Sequence, residues 1–441
     1  MGAGGGTFTA MNKILPGAYI NFVSHPRAMA TVGVRGTVTG LLNPSWGPQG
    51  EIVTVEAADF QTNALRTLGY SFTAPEMQLF RELFRGARTL KYYRPTGGTA
   101  ATATVGALTV TALYPGTRGN DLKIIVEADV DEAGAFFVAT LIKDGEAYVT
   151  VDEQRVRNIS ELAPNAFVRF TGTTIPGETA GTSLSGGTNV TSTGSAHSQF
   201  LGLAEKESFT TVFYTGSDSV TKGLYAAFTR RLRDDEGYKV TCVLHNYPQA
   251  DHEGIISVKN EVGGANPAAL VYWAAGAQAG CEINQSLKNS FYTGELEVKA
   301  AFSNRELENA IQEGAFTLFG ERGAIRVLAD INSFTSVSPH KNNDFSQNQV
   351  IRVLDEIGNS TARLFNDLYL GRVQNSAMGR TLLRGDFISY YQQLQAMEAI
   401  ENFDPDDITI GPGQEKGDVT AESFVQPLAA MQKLYLTVRV V

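Results

Sequence analysis

The sequence predicts a multi-domain α+β and α/β chain, with a helix-covered sheet core, an inserted all-β domain, and extended strand arms at the N- and C-termini. Three observations carry this reading. Residues 96–191 are dominated by Thr, Gly, Ala and Val and are broken by closely spaced turn signals. From 194 onward, short apolar runs alternate with amphipathic stretches, the pattern of a sheet covered by helices. The last run, 433–441, alternates between apolar and polar side chains as a half-buried strand does.

Residues 1–12 are rich in glycine and small residues that bury too little surface to offset their ordering, so they open a flexible arm over 1–30. Within it, 16–23 is a short extended run. A second run over 31–40 places Val32, Val34 and Val38 on one parity, and the Asn43–Pro48 stretch then breaks the chain. Pro75 and Glu76 suit the first turn of a helix whose Leu79, Phe80, Leu83 and Phe84 form one apolar face. Residues 31–95 are therefore the first part of a body, interrupted by the β insert at 96–191. In that insert, strand-like runs at 122–128, 135–142 and 147–151 lie between turn signals, and Asp144-Gly145 is the strongest hairpin signal.

Residues 192–335 read as the α/β core. A strand at 211–214 leads to a helix capped by Asp218, with Val220, Leu224, Phe228 and Leu232 recurring every fourth residue. A buried strand is expected at 239–244, then a helix at 252–262, a helix opened by Asn266-Pro267, and a strand at 326–328. Residues 336–441 carry two long helices. The first, 346–369, has Ser346 as N-cap and a stripe of Val350, Leu354, Ile357, Thr361, Leu364 and Leu368 at alternating spacings of four and three. The second, from about 381 to 402, has a stripe of Leu383, Phe387, Tyr390, Leu394 and Met397. An acidic block at 401–422 follows, with seven carboxylates against Lys416. In the closing run, Leu434, Leu436, Val438 and Val440 share one face, and this strand must pair within its subunit or join a neighbour's sheet.

Composition narrows the function. The 441 residues include 36 basic and 46 acidic side chains, a formal net charge of −10, which argues against gripping nucleic-acid phosphates. Hydrophobic residues at 43% exclude disorder, while the low charged share of 19% suggests a surface covered by partners. Cys242 and Cys281 read as reduced, buried thiols. The N-terminus lacks the pattern of a secretory signal and no stretch approaches a membrane span, so a soluble protein made in a cytoplasm is expected.

Motifs for chemistry are poor. The 216–223 segment has a glycine and Lys222 near P-loop spacing, but Thr221 and Gly223 stand where a glycine and a magnesium-binding hydroxyl are needed. Asp129-Val130-Asp131 lacks the remaining ligands of a calcium loop. Asp251-His252-Glu253 with His245 has metal-ligand residue types without metal spacing and reads as a solvated loop. No Gly-x-Ser-x-Gly elbow occurs. No catalysis, cofactor or metal is expected. The rival readings are an α/β enzyme with a carboxylate or His252 site, and a structural component of another kind.

One resemblance adds to this. The 16–22 start, the 35–48 stretch from Arg35 to Pro48, Asp330-Ile331-Asn332-Ser333, the 345–355 stretch and the region from Gly385 to Asp404 with its β tail resemble the tail sheath proteins of contractile phages. The resemblance implies a structural subunit that surrounds the tail tube in stacked hexameric rings, forms a helical polymer, and contracts to drive the tube through the target envelope. It also implies arms that complete a neighbour's sheet. In this sequence these would be Tyr19, Ile20, Asn21, Phe22 and Val23 at one end, and Leu434, Tyr435, Leu436, Thr437, Val438, Arg439 and Val440 at the other. Partners would be further copies, the tail tube protein, and baseplate and terminator proteins, with no nucleic acid, membrane or cofactor, in a virion tail assembled in the host cytoplasm. For the tube contact the expectation falls on Arg352, Asp355 and Glu356 of the 346–369 helix, with the acidic 401–422 block as rival.

Overall fold

The structure, a computed structural model, describes residues 33, 35–264 and 266–440. The chain forms two compact units. The smaller holds Ser360–Leu394 and Phe403–Phe424, and the larger holds Gly33–Asn359, Gln395–Asn402 and the last residues from Val425.

The larger unit is built on a seven-stranded sheet. Strands β1 (Thr37–Leu41) and β2 (Ile52–Glu56) are followed by helices α1 (Ala57–Leu68) and α2 (Gln78–Phe84) and strand β3 (Thr89–Tyr93). The helix expected at Pro75 is present, opened by a single 3₁₀ turn over Pro75–Met77. After the insert come α3 (Gly194–Ala204), β11 (Thr211–Tyr214), α4 (Ser219–Arg230), β12 (Thr241–His245), β13 (Ile255–Val258), α5 (Leu270–Gly280), α6 (Asn304–Gln312) and β14 (Ala315–Phe316). The sheet order is β14-β13-β12-β11-β1-β3-β2, parallel except for β2. Both faces are covered, so alternate residues of one strand enter different cores: Val243 joins Phe60, Leu83 and Leu270, while Cys242 and Leu244 join Phe200, Tyr225 and Leu232.

Two elements differ from expectation. The 252–262 segment is strand β13, paired with β12 and β14, because Ile255-Ile256-Ser257-Val258 is a short apolar run that periodicity alone cannot assign to helix or strand. On α4, Asp218 caps as expected, accepting a hydrogen bond from the Thr221 amide, but the stripe is displaced. Tyr225, Phe228 and Leu232 are buried while Val220 is 78% exposed.

The insert is a sandwich of antiparallel sheets. One sheet holds β4 (Thr102–Val105), β5 (Leu108–Ala112) and β9 (Val168–Gly172). The other holds β6 (Leu122–Ala128), β7 (Phe136–Asp144), β8 (Ala147–Val156) and β10 (Thr179–Ser183). Val110, Ile124, Val138 and Val168 meet inside it, and Trp46 of the body enters the same core. The expected hairpin is present: Asp144 pairs with Ala147, and Gly145 takes φ 63° as the first of two loop residues. Two arginines fix the root of the insert. Arg94 donates to the Gly47 and Pro115 carbonyls, and Arg118 donates to the Gly69 and Lys143 carbonyls and lies over the Tyr70 ring.

Hairpin β15 (Leu318–Glu321) and β16 (Ala324–Val327) precedes the last third, where α7 (Asn348–Leu364) runs through Asn359 in the larger unit. Ser346 does not cap it. Ser346 closes a 3₁₀ turn over Asn343–Ser346 and its hydroxyl donates to the Asn343 carbonyl. In the smaller unit, Leu364 and Tyr369 pack with Leu383 of α8 (Ala377–Ala396). Helix α8 starts earlier than expected, with the Ser376 hydroxyl accepting from the Gly379 amide, and ends before Glu398, whose φ is 58°. Strand β17 (Ile400–Glu401) pairs with β20 (Gln426–Pro427) in the larger unit, and β18 (Ile408–Pro412) with β19 (Val419–Ser423) in the smaller.

Candidate assembly surfaces

The C-terminal run has the sequence of a strand and the surroundings of none. Residues 428–440 adopt no sheet pairing within the described chain. Leu434, Leu436, Val438 and Val440 are 86%, 74%, 74% and 94% exposed. A row of four large apolar side chains with free backbone donors and acceptors is a template for pairing with another sheet. Covering them fully would contribute about 1.5–3 kcal/mol each.

The root of this run, by contrast, is tied down. The Leu428 amide donates to the Ala399 carbonyl, and the Ala430 amide to Gln349 Oε1 at 2.9 Å. Gln432 donates to Gln347 Oε1 at 2.6 Å and accepts from Lys288 Nζ at 3.1 Å. From Lys433 onward no described residue holds it. At the other end, Tyr19, Ile20, Asn21, Phe22 and Val23 lie outside the described residues. Gly33 donates its amide to Glu356 Oε1 at 2.8 Å, and Arg35 donates to the Cys281 carbonyl at 2.9 Å. Some of these contacts from either side fall on α7 and the turn before it: Gly33 reaches Glu356, and Ala430 and Gln432 reach Gln349 and Gln347.

That arrangement corrects the expectation for Arg352, Asp355 and Glu356. They do not face outward: their exposures are 2%, 7% and 6%. Arg352 Nη2 meets Asp330 Oδ2 at 2.6 Å, and Asp330 also accepts from Gln278 and Asn348. Arg233 grips both oxygens of Asp355 at 2.7 Å. Burial alone would raise the Asp330 pKa, but the Arg352 charge and three hydrogen bonds hold it below the usual carboxylate range. Burial likewise opposes the Arg352 charge, and Asp330 holds its pKa up. Periodicity marks the stripe as polar but does not report that opposite charges lie across the core, paired from distant segments of the chain. The rival acidic block is at the surface: Asp404, Asp406, Glu415, Asp418 and Glu422 are exposed. Among the described residues, only Asp406 of these has an ion-pair partner, Arg384 at 3.3 Å.

The places where chemistry could reside are otherwise engaged. The 216–223 loop follows a parallel strand and opens α4, where nucleotide folds hold phosphate. Here a Cβ on Gly216 would stand 2.0 Å from the Tyr214 hydroxyl, so an aromatic side chain fills the cradle, and the Asp218 carboxylate occupies the helix N-terminus. His252 and Glu253 are buried rather than on a solvated loop, which corrects that reading. With Asp234 they bring three potential metal-ligating atoms within 4.8 Å. However, His252 Nδ1 accepts from the Gly254 amide at 3.0 Å, which puts the proton on Nε2, directed at Asp234 Oδ2 at 3.1 Å, and Glu253 is bound to Lys341 at 2.6 Å. The ring nitrogens of His252 are thus satisfied by hydrogen bonds, and Glu253 by its ion pair with Lys341. An open depression of about 870 Å³ beside β15 and β16 is lined by Lys259, Glu261, Lys299 and Arg322, where the Lys299 hydrogen bond and charge hold Glu261 below its ordinary pKa, the opposite of a raised general acid. Cys242 and Cys281 are buried free thiols, and burial pushes Cys242 up to about 12.

A doubly covered sheet carrying an inserted β-sandwich, with an exposed apolar run near its C-terminal end, has the features of a structural, self-associating protein rather than of an enzyme built around a pocket. Family profiles match consecutive parts of the chain: "Tail sheath protein Gp18 domain III N-terminal region" at 35–94, "Phage tail sheath protein beta-sandwich domain" at 96–189, "Phage tail sheath protein central domain" at 191–333 and "Phage tail sheath C-terminal domain" at 340–441. The phage-like element PBSX protein XkdK of Bacillus subtilis (strain 168) is 33% identical over 99% of each chain. The crystal structure of the sheath tail protein from Desulfitobacterium hafniense is 38% identical, covers 96% of this chain and 100% of that one, and superposes with a TM-score of 0.85. The helical sheath of the anti-feeding prophage in its contracted state, at 12% identity and a TM-score of 0.56 over 96% of this chain and 99% of that one, shares the fold. The chain belongs to the phage tail sheath protein family, and it is a sheath structural subunit, a component of a virion tail.

Proposed function

We propose that this chain polymerises with copies of itself into a helical cylinder of stacked hexameric rings around a tail tube, and that the cylinder contracts to drive the tube through a target envelope. It works without catalysis, because the free energy of contraction is stored at assembly in interfaces that differ between two states. The observation that carries this reading is the exposed alternating run Leu434, Tyr435, Leu436, Thr437, Val438, Arg439 and Val440, rooted at Gln432 and without a strand partner among the described residues. A strand added to a neighbour's sheet gives a heterologous contact, the kind that builds open helical polymers, and its backbone hydrogen bonds survive rotation of the bodies that it joins. Tyr19, Ile20, Asn21, Phe22 and Val23 would supply the complementary arm.

The tube contact falls to the exposed acidic residues of 404–422, since Arg352, Asp355 and Glu356 are consumed inside the subunit. Baseplate and terminator proteins would bind the two ends of the polymer, assembled in a host cytoplasm. The test is electron microscopy of the full chain and of a chain ending at Gln432. The full chain should give striated hollow cylinders, and the truncated one folded subunits without cylinders. Normal cylinders from the truncated chain would overturn the arm assignment.

A further inference from the structure

Helices α1 and α2 border an aromatic socket on the larger unit. Phe60 of α1, 1% exposed, stacks on Phe84 of α2 with ring centres 4.9 Å apart and meets Phe72 edge-on at 5.1 Å. Phe72 and Phe84 are half-buried, and with Gln61 and Arg85 they line a cavity of about 310 Å³. That volume is at the small end of ligand cavities and suits a protein side chain better than a cofactor. The acids beside it are committed. Glu295 is gripped by Arg81, from Nε at 2.9 Å and Nη2 at 2.7 Å, and the buried Glu82 accepts from the Tyr292 hydroxyl at 2.8 Å and from the Glu295 amide. Arg85, whose side chain is 36% exposed, is held only loosely, its guanidinium 3.5 Å from Glu295.

The far end of the β-sandwich carries the complement. The Asp129-Val130-Asp131 turn between β6 and β7 is locked in place: Asp129 Oδ1 accepts from the Asp131 amide at 2.9 Å, Arg155 takes its other oxygen, and Arg155 and Arg157 both hold Glu132. Val130 at the tip is 96% exposed, more than any other large apolar side chain described before residue 428. The neighbouring Asp131 is exposed, and its carboxylate has no partner among the described residues. A tip held this firmly loses little freedom on docking. It cannot fill the socket of its own chain. Asp144, at the opposite end of β7, accepts from the hydroxyl of Ser71, the residue before Phe72, at 3.0 Å, and the nine residues of β7 separate its ends by about 26 Å at ~3.3 Å per step.

We propose that the Val130–Asp131 tip of one copy inserts into the socket of Phe60, Phe72 and Phe84 on a second copy, with Val130 against the rings and the Asp131 carboxylate on Arg85. Complementarity selects this occupant: an exposed aliphatic side chain beside a free carboxylate meets an aromatic cavity beside a loosely held guanidinium. The two patches differ, so the contact is heterologous, as an open polymer requires. This inference rests on the self-assembly reading above and adds to the terminal arms a contact made by the inserted sandwich.

The experiment uses cylinders grown from an equal mixture of two full-length chains, one carrying Val130→Cys and the other Gln61→Cys, since Gln61 is exposed at the socket and the native Cys242 and Cys281 are buried. Oxidation with diamide should give a covalent dimer whose bridge, mapped by mass spectrometry, joins position 130 of one chain to position 61 of the other. Cylinders that yield no such bridge would overturn the inference and leave the self-assembly reading standing, whereas failure of the native chain to form cylinders would sink both. In parallel, Asp131→Arg and Arg85→Glu should each raise the critical concentration for assembly about tenfold or more, and the chain carrying both should return to within about threefold of native. Asp131 is exposed, so the Asp131→Arg monomer should melt as the native one does and tests the contact independently of any effect of Arg85→Glu on folding. An unchanged critical concentration in Asp131→Arg, or no recovery in a folded chain carrying both substitutions, would also overturn the inference.

Discussion

Replacing Arg352 by methionine should destabilise the larger unit by about 3–5 kcal/mol, the cost of breaking a buried ion pair while keeping one of its charges. Methionine keeps much of the side-chain volume, so the loss reports the charge. Asp330 would retain Gln278 Nε2 at 2.8 Å, Asn348 Nδ2 at 2.9 Å and the Leu287 amide at 3.0 Å, and lose its ion pair with Arg352. Its side chain is 2% exposed, so water cannot replace the guanidinium. Its escape is to take up a proton, which at pH 7 costs about 4 kcal/mol from an ordinary aspartate pKa near 3.9, and this caps the electrostatic part of the loss. The pH dependence follows. In the native chain the depressed Asp330 pKa contributes stability present above the ordinary value and lost as pH falls through the folded one. In the variant the pKa would be raised, so the penalty fades as pH falls toward 4. Urea unfolding of the subunit followed by tryptophan fluorescence reads this well, since Trp46 and Trp273 both lie in cores of the larger unit. Adding Asp330→Asn should recover at least about half of the loss. A loss below about 1 kcal/mol, or one independent of pH, would refute the placement of this pair inside the core.

Gly276→Ala should cost about 1–3 kcal/mol or more in the same assay, because its Cβ would stand 2.0 Å from the Leu83 carbonyl where α5 crosses α2. Burial opposes ionisation of Asp251, yet hydrogen bonds from Ser336 and Thr335 hold its carboxyl at about 2. That stabilisation is present above the ordinary aspartate pKa and lost as pH falls through about 2, so Asp251→Asn should speed amide exchange at Thr335 and Ser336 at pH 7 and lose its effect near pH 2. Leu436→Asp should leave monomer stability within about 0.5 kcal/mol of native, since the site is 74% exposed, and abolish cylinders in the electron microscope.

Local chemistry was legible in the sequence, and long-range pairing was not. The Asp144-Gly145 turn, the Asp218 cap, the buried thiols and the run of β12 depend on neighbours in the chain, and each is found. Strand β13 was missed because four apolar residues carry too little periodicity to separate a strand from a helical turn. The α4 stripe was displaced because Tyr225, with its hydroxyl 3.0 Å from His197 Nδ1, occupies the core position in place of Leu224. On α7, no sequence signal marks Arg352 and Asp355 as buried rather than available to a tube, because their partners Asp330 and Arg233 are 22 and 122 residues away in sequence. The anchors Arg94 and Arg118 had no signal at all, since their acceptors are mostly backbone carbonyls. The alternation at 434–440 is plain in the sequence, and only the structure reveals that no described residue pairs with it as a strand.

The most direct measurement is a cryo-electron microscopy map of cylinders assembled from the full chain, at a resolution that traces the last nine residues. Leu434 to Val440 should run as a strand hydrogen-bonded to the sheet of an adjacent subunit, with Leu434, Leu436, Val438 and Val440 turned into that subunit's interior. A map in which this segment folds back onto its own body, or projects unpaired while the cylinder stands intact, would contradict the account.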